Sequence, residues 1–207
     1  MPKKKTTKID LYKLHKKEYA AAPRPALVDV GPAAYLAIEG QGAPGGERFQ
    51  GAVGALYAAA FTIKMTRKFE GGQDYAVAKL EGQWWADGGR AVEKTAPEQW
   101  RWRLMIRTPD FVKKAELVRA VKTIVGKGKA PLVPEVVLEP LTEGRCVQML
   151  HIGPYDKERA TIEAMLAFAA AQGYAPQGRH HEIYLSDPRR VPPARLKTIL
   201  RQPLRKE

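Results

Sequence analysis

His180-His181-Glu182-Ile183-Tyr184-Leu185-Ser186-Asp187-Pro188 sets a carboxylate among strand-forming apolar residues, with an aromatic two positions on. Side chains alternate faces along a strand, so Glu182 and Tyr184 point the same way. Such a pair is either a surface feature or part of a polar, aromatic-lined site. The theme recurs earlier, in Leu80-Glu81-Gly82-Gln83-Trp84-Trp85. Alternation puts Trp85, not Trp84, on the face of Glu81 unless a bulge intervenes. Two such strands in one small chain point to a binding site.

Working outward, each Glu-bearing strand follows a helical segment. In the first half Tyr35–Ile38 reads as a strand and a Gly-rich turn spans Gly40 to Gly46. A helix is then expected from about Glu47 to Phe69, with Phe49, Val53, Leu56, Tyr57, Ala60 and Phe61 as its apolar stripe. Tyr75–Trp85 and Trp100–Arg107 read as strands, the latter alternating plainly. Thr108-Pro109-Asp110 predicts a helix start with Thr as N-cap and Pro at the first helical position; the helix runs to about Val125 and ends at Gly126. In the second half Arg145–Ile152 is a strand, Asp156 caps a helix with Ile162, Met165, Leu166 and Ala169 as its stripe, and Gly173 ends it. Arg179–Leu185 and Arg195–Arg201 are the last strands. The order is strand, helix, strand, strand, twice.

The expected fold is therefore α+β: duplicated β-α-β-β units related by a pseudo-twofold, with antiparallel sheet, helices packed on one side and a central groove. Residues 1–24 form a basic arm, with a short helix around Asp10–Tyr19. Residues 25–207 form the domain: repeat one over about 25–108, a connecting helix over about 109–126 and repeat two over about 139–205. One unit alone would cover a single sheet face and leave an open strand edge. Joining two units solves both problems, and equivalent carboxylates would approach the junction from opposite sides.

The chain has 207 residues and a formal net charge of +13. Residues 1–19 hold seven Lys, and residues 189–207 hold seven Lys or Arg. No pattern for reading DNA accompanies the charge, so two solvated basic ends outweigh a nucleic-acid site. The single cysteine, Cys146, excludes an intrachain disulfide and suits a reducing cytoplasm, with burial as its role. No run approaches a membrane span and no secretory signal opens the chain. A cytoplasmic protein is expected. The pair His180 and His181 does not make a metal site, because neighbours on a strand face opposite ways. No metal or cofactor is expected. The glycines from Gly40 to Gly46 lack the Lys-Ser/Thr of a phosphate loop.

Several segments together carry a family resemblance: Lys8-Ile9-Asp10-Leu11, Leu80 to Trp85, Trp102-Arg103-Leu104-Met105-Ile106, His151-Ile152-Gly153-Pro154-Tyr155, His181 to Arg190 and Leu196 to Arg201. The chain resembles the GyrI-like small-molecule-binding proteins, which also serve as effector-binding domains of multidrug-responsive regulators. It is similar to the stand-alone branch, since no DNA-reading domain accompanies it. The resemblance implies the duplicated fold and a central groove whose glutamate and aromatic neighbours receive bulky ligands. Stand-alone relatives include hydrolases that open the cyclopropane of DNA-alkylating natural products of the yatakemycin type; gyrase-inhibitory relatives also exist. Gly42-Ala43-Pro44-Gly45 departs from the Asp-Pro-Asn of close relatives, which bears on the first-half rim of the groove.

The expected site follows. Glu182 is general base or ligand anchor and Glu81 its counterpart. Tyr155 and Tyr184 are wall residues and proton donors, and Trp84 or Trp85 is a stacking surface. Tyr57, Trp102 and Met105 are further candidates. The ligand is a polycyclic aromatic or amphipathic small molecule. Three functions compete: a groove hydrolase, a non-catalytic drug binder, and a protein acting on gyrase or DNA through its basic ends.

Overall fold

The computed structural model describes residues 7–89 and 95–207. Nine strands form among them: β1 (Ala26–Val30), β2 (Ala33–Gln41), β3 (Leu80–Trp85), β4 (Arg101–Thr108), β5 (Val137–Leu141), β6 (Gly144–Ile152), β7 (Tyr174–Pro176), β8 (His180–Tyr184) and β9 (Lys197–Lys206). The helices are α1 (Leu11–Leu14), α2 (Lys16–Tyr19), α3 (Glu47–Phe69), α4 (Lys114–Val125) and α5 (Arg159–Ala171). The sheet runs β1-β6-β9-β8-β3-β4-β2-β5, antiparallel throughout, with β7 added beside β9.

That order is palindromic. The second-half trio β6-β9-β8 meets the first-half trio β3-β4-β2, and the centre is the β3–β8 pair, with Gly82 opposite Glu182. The outer strands are exchanged. β1 leads into β2 yet pairs with β6, and β5 leads into β6 yet pairs with β2. Each half thus covers the other's outer edge, which ties the repeats together. Neither exchanged strand was legible in the sequence. Both are short, and Pro140 in β5 is tolerated only near an edge.

α3 has the expected bounds, but its buried stripe is rotated. Ala52, Ala55, Leu56, Ala59, Ala60 and Ile63 face the core. Small side chains let the helix lie close to the sheet, so the bulkier series Phe49, Val53, Tyr57 and Phe61 falls on its flank, and Phe61 is 52% exposed. α3 rests mainly on β2 and β4, and α5 on β6, β7 and β9. The helix side of β3 and β8 lies between them. Gly40 is needed under α3, because a Cβ there would lie 2.2 Å from the buried Trp102 ring.

Several expected boundaries move; β2 and β9 run longer than expected, to Gln41 and Lys206. Thr108 belongs to β4, where it pairs with Ala34 and its hydroxyl donates to the Ala34 carbonyl at 3.3 Å. The helix therefore starts later, and Glu116 accepts from the Lys113 amide at 3.0 Å at its first turn. Only Leu80–Trp85 of the strand expected from Tyr75 is regular; Tyr75 instead bridges to Ile9. In the second half a 3-10 turn (Tyr155–Lys157) and Glu158, rather than an Asp156 cap, precede α5.

The N-terminal segment is the larger correction. The helix expected around Asp10–Tyr19 is two short helices broken at His15, and they pack on the sheet face opposite α3 and α5. Asp10 accepts from the Tyr12 amide at 3.0 Å to start the first. Tyr12 and Tyr19 stack at 4.0 Å, and Tyr19 packs on Ile183 and Ile199. No described helix is long and apolar enough to cross a membrane.

Candidate functional site

Between the two long helices, β3 and β8 present one face. Tyr184 and Glu182 project there from β8, with Trp84 and Gly82 beside them on β3. Trp84 donates its indole N–H to the Tyr184 hydroxyl at 3.0 Å. The Tyr184 hydroxyl, accepting from Trp84, also lies beside the Glu182 carboxylate. Burial and then the Glu182 charge hold the Tyr184 phenol well above its ordinary range. Indole, phenol and carboxylate thus sit in a row on one face of the sheet. Tyr155 stands edge-on to Tyr184 at 5.9 Å, and His180 Nε2 lies 3.6 Å from Glu182 Oε1.

The walls are aromatic. Phe49 from the flank of α3 stacks on Trp84 at 5.9 Å. Tyr57, two turns along, lies by the Leu80 backbone and the Asp187–Arg189 turn that follows β8. Across from them stands Tyr155, 40% exposed. Gly82 leaves room for Tyr184 and Trp84 to meet over it. A Cβ there would meet Tyr184 Oη at 3.0 Å and Trp84 Nε1 at 3.2 Å. Gly82→Val is expected to part these two groups and weaken aromatic ligand binding about tenfold while the fold persists. A tryptophan-fluorescence titration reads this directly.

A second carboxyl completes the site. Glu158, at the start of α5, is 5% exposed. Burial, and then the charge of Glu182, push its carboxyl up to about 9, opposed by the Thr198 hydroxyl beside it. Nothing in the sequence marked it. A glutamate at a helix start reads as a solvated dipole partner; only the fold shows it turned inward toward the centre of the sheet.

The opposite face carries a different cluster. Glu81 is fully buried there, accepting from the Tyr19 hydroxyl at 2.9 Å. Its Oε2 lies 3.1 Å from His181 Nε2, an ion contact rather than an aligned hydrogen bond. The other nitrogen of His181 bonds Glu143 at 2.9 Å, and Glu143 is paired with Arg201 at 3.0 Å. Arg107 pairs with Glu18 at 2.5 Å, and Arg201 donates to the Glu18 carbonyl at 2.6 Å. Three carboxylates meet three cations beneath the N-terminal helices. Burial opposes the charge on His181, but Glu143 and Glu81 outweigh it and raise the imidazole to about 9. Burial likewise opposes ionisation of Glu143, and His181 and Arg201 outweigh it, lowering the acid to about 2.

The structure therefore sorts the expected residues. It brings Glu182, Tyr184, Trp84 and Tyr155 together, with Tyr57 at the rim. It does not bring Glu81 to Glu182: they stand on opposite faces, because Gly82, not Glu81, pairs with Glu182. Trp85 shares the face of Glu81, as alternation requires, and lies under the Arg179 guanidinium at 3.5 Å. Met105 is buried on that face too, with Tyr35 and Ala37. Trp102 is fully buried in the core under α3. Among the described residues no group of three His, Cys, Asp or Glu is placed to hold a metal ion. Nor is the basic C-terminal end wholly solvated, since Arg201 is fully buried.

These groups set a pH dependence of stability. His181, raised from 6.5 to about 9, contributes fully below 6.5 and loses its contribution as pH rises through about 9. Glu158, raised from 4.5 to about 9, stays protonated in the folded state while the unfolded chain ionises, so it too costs stability between those values. Glu143, lowered from 4.5 to about 2, contributes above 4.5 and loses this as pH falls toward 2. The melting temperature is expected to peak between about pH 4.5 and 6.5 and to fall toward pH 9. Calorimetry across that range checks it; a maximum at or above pH 8 would contradict it.

Comparison with known proteins agrees with this architecture. A family model described as the GyrI-like small molecule binding domain matches residues 24–205. An uncharacterized conserved protein from Listeria innocua is 39% identical, over 96% of this chain and 100% of that one, with a TM-score of 0.89. A hydrolase from Listeria innocua is 37% identical over the same shares, with a TM-score of 0.88. The C-terminal domain of EcmrR, 12% identical over 89% of this chain and 98% of that one, shares the fold at a TM-score of 0.53. No curated protein matches. With the family match covering all but the ends, the chain belongs to the GyrI-like small-molecule-binding domain family.

Proposed function

We propose that the groove between α3 and α5 binds bulky aromatic or amphipathic molecules and hydrolyses cyclopropane-type genotoxins, with Glu182 as general base. The observation that carries this reading is the chain from Trp84 through Tyr184 to Glu182 on the floor of an aromatic cleft. A flat polycycle stacks between the α3 flank and Tyr155. Its strained ring carbon then lies over Glu182, which takes a proton from an attacking water. Tyr184, accepting from Trp84 and facing Glu182, orients the carboxylate rather than supplying the acid. The full-length likeness to a Listeria innocua hydrolase at 37% identity supports an enzymatic reading.

A non-catalytic binder would use the same aromatic walls without chemistry. Incubating the purified protein with a duocarmycin-type compound and following the ring-opened product by mass spectrometry separates the two. Turnover above buffer is expected. Quenching of Trp84 with no product would leave a binding protein and end the hydrolytic reading.

A further inference from the structure

Hydrolysis of a cyclopropyl dienone needs an acid as well as a base; Glu182 is the proposed base, and the Tyr184 hydroxyl sits between Trp84 and Glu182. We propose that Glu158 is the acid, donating its proton to the carbonyl oxygen of the substrate while Glu182 deprotonates water; this rests on the hydrolytic reading above.

Position comes first. Tyr184 pairs across β8 and β9 with Thr198, and the Glu158 carboxyl lies beside that threonine hydroxyl. It therefore overlies the strand next to Glu182, on the same face of the sheet. It is buried, and its Oε1 has no hydrogen-bond partner among the described residues. The turn that carries it is pinned at both ends. His151 on β6 bonds the Pro154 carbonyl at 3.2 Å and Thr161 of α5 at 2.9 Å. A carbonyl only accepts, so Nε2 of His151 carries the proton and Nδ1 accepts from Thr161 in the neutral ring. Gly153 allows this bracing: its φ is +144°, and a Cβ there would crowd His151 Nε2 at 3.2 Å.

Protonation follows from the surroundings. The groups acting on Glu158 are Glu182 and Tyr184 from β8, Tyr155 from its own turn and Thr198 from β9. None of these is a cation. Burial, with the neighbouring Glu182 charge, keeps the Glu158 proton on up to about 9. Two carboxyls in one cleft are thereby split into an acid and a base.

The step balances. The water oxygen bonds to the ring methylene as Glu182 takes one water proton. The cyclopropane C–C bond breaks, and its electron pair flows into the dienone, which becomes a phenol on taking the Glu158 proton. The product is substrate plus water, and proton return from Glu182 to Glu158 resets the site. No oxidant or cofactor enters.

The test compares pH–rate profiles for wild type, Glu158→Gln and Glu158→Asp on a duocarmycin-type dienone, with product read by mass spectrometry. Glutamine replaces a neutral carboxyl of similar shape, so folding is expected to persist. Wild-type kcat/KM should fall above about pH 9, the acid limb of Glu158. Glu158→Gln should lower kcat about a hundredfold and abolish that limb, and Glu158→Asp should recover part of the rate and restore the limb. Wild-type-like turnover in Glu158→Gln with the limb intact would overturn the assignment and leave the hydrolytic reading standing. A reduced rate with the limb unchanged would also overturn it, by showing a merely structural loss. No turnover in wild type would remove both readings together.

Discussion

Glu182→Gln is expected to lower turnover of a cyclopropyl dienone by about two to four orders of magnitude, the usual contribution of a positioned general base. The amide keeps the shape of the side chain, so the Trp84–Tyr184 hydrogen bond beside it persists. What it loses is the capacity to take a proton from water. KM should change little, because the proposed stacking surfaces at Phe49, Tyr57 and Tyr155 are untouched. Melting temperature should rise slightly if it moves at all, since one of two crowded carboxyls is neutralised. Single-turnover product analysis beside a melting curve checks both halves. A rate within about tenfold of wild type would remove Glu182 from the role of base.

The residue next to it should behave in the opposite way. His181→Leu is expected to cost about 3–5 kcal/mol, because it leaves Glu81 and Glu143 buried and facing each other without their shared cation. Arg201 still pairs with Glu143, but Glu81 keeps only the Tyr19 hydroxyl. The N-terminal helices should loosen with the network, because Tyr19 and the Glu18 carbonyl are tied into it. Glu81→Gln is the gentler probe of the same face. It should lower stability by about 1–3 kcal/mol and leave kcat unchanged. Urea denaturation measures the first quantity and the turnover assay the second. Loss of turnover in a fully folded Glu81→Gln would show that this glutamate works in the reaction after all.

The contrast between Glu182 and His181 explains what was legible. Strand-and-helix order, the ends of α3 and the shared face of Glu182 and Tyr184 all follow from local periodicity, and local periodicity is written in the chain. Glu81 looked like the partner of Glu182 because both sit in a carboxylate-and-aromatic strand. A slip of one residue in pairing exchanges the two faces of a strand. The register that sets Gly82 against Glu182 is fixed by long-range pairing, not by anything within either segment. Thr108 was similarly ambiguous: its capping potential is real, but sheet pairing with Ala34 uses the residue first. β1 and β5 were missed because their pairing partners lie in the other repeat. Glu158 carried no signal because its inward turn depends on the bracing of Pro154 and Thr161 by His151.

The rotated stripe of α3 is the one local reading that had a discoverable cue. Alanines at positions 52, 55, 59 and 60 outnumber large residues on one helix face. Small residues mark the side where a helix lies close to a sheet, which leaves the aromatic side to do something else. Here that side sets Phe49 against Trp84 and Tyr57 beside Leu80, so an apparent core stripe reaches the candidate site.

The most direct measurement is a crystal structure of Glu182→Gln soaked with a duocarmycin-type dienone. The ligand is expected between α3 and α5, its rings against Trp84, Tyr57 and Tyr155 and its strained carbon over residue 182. Density for the ligand on the opposite face, beside Glu81 and His181, or anywhere outside this groove, would contradict the account.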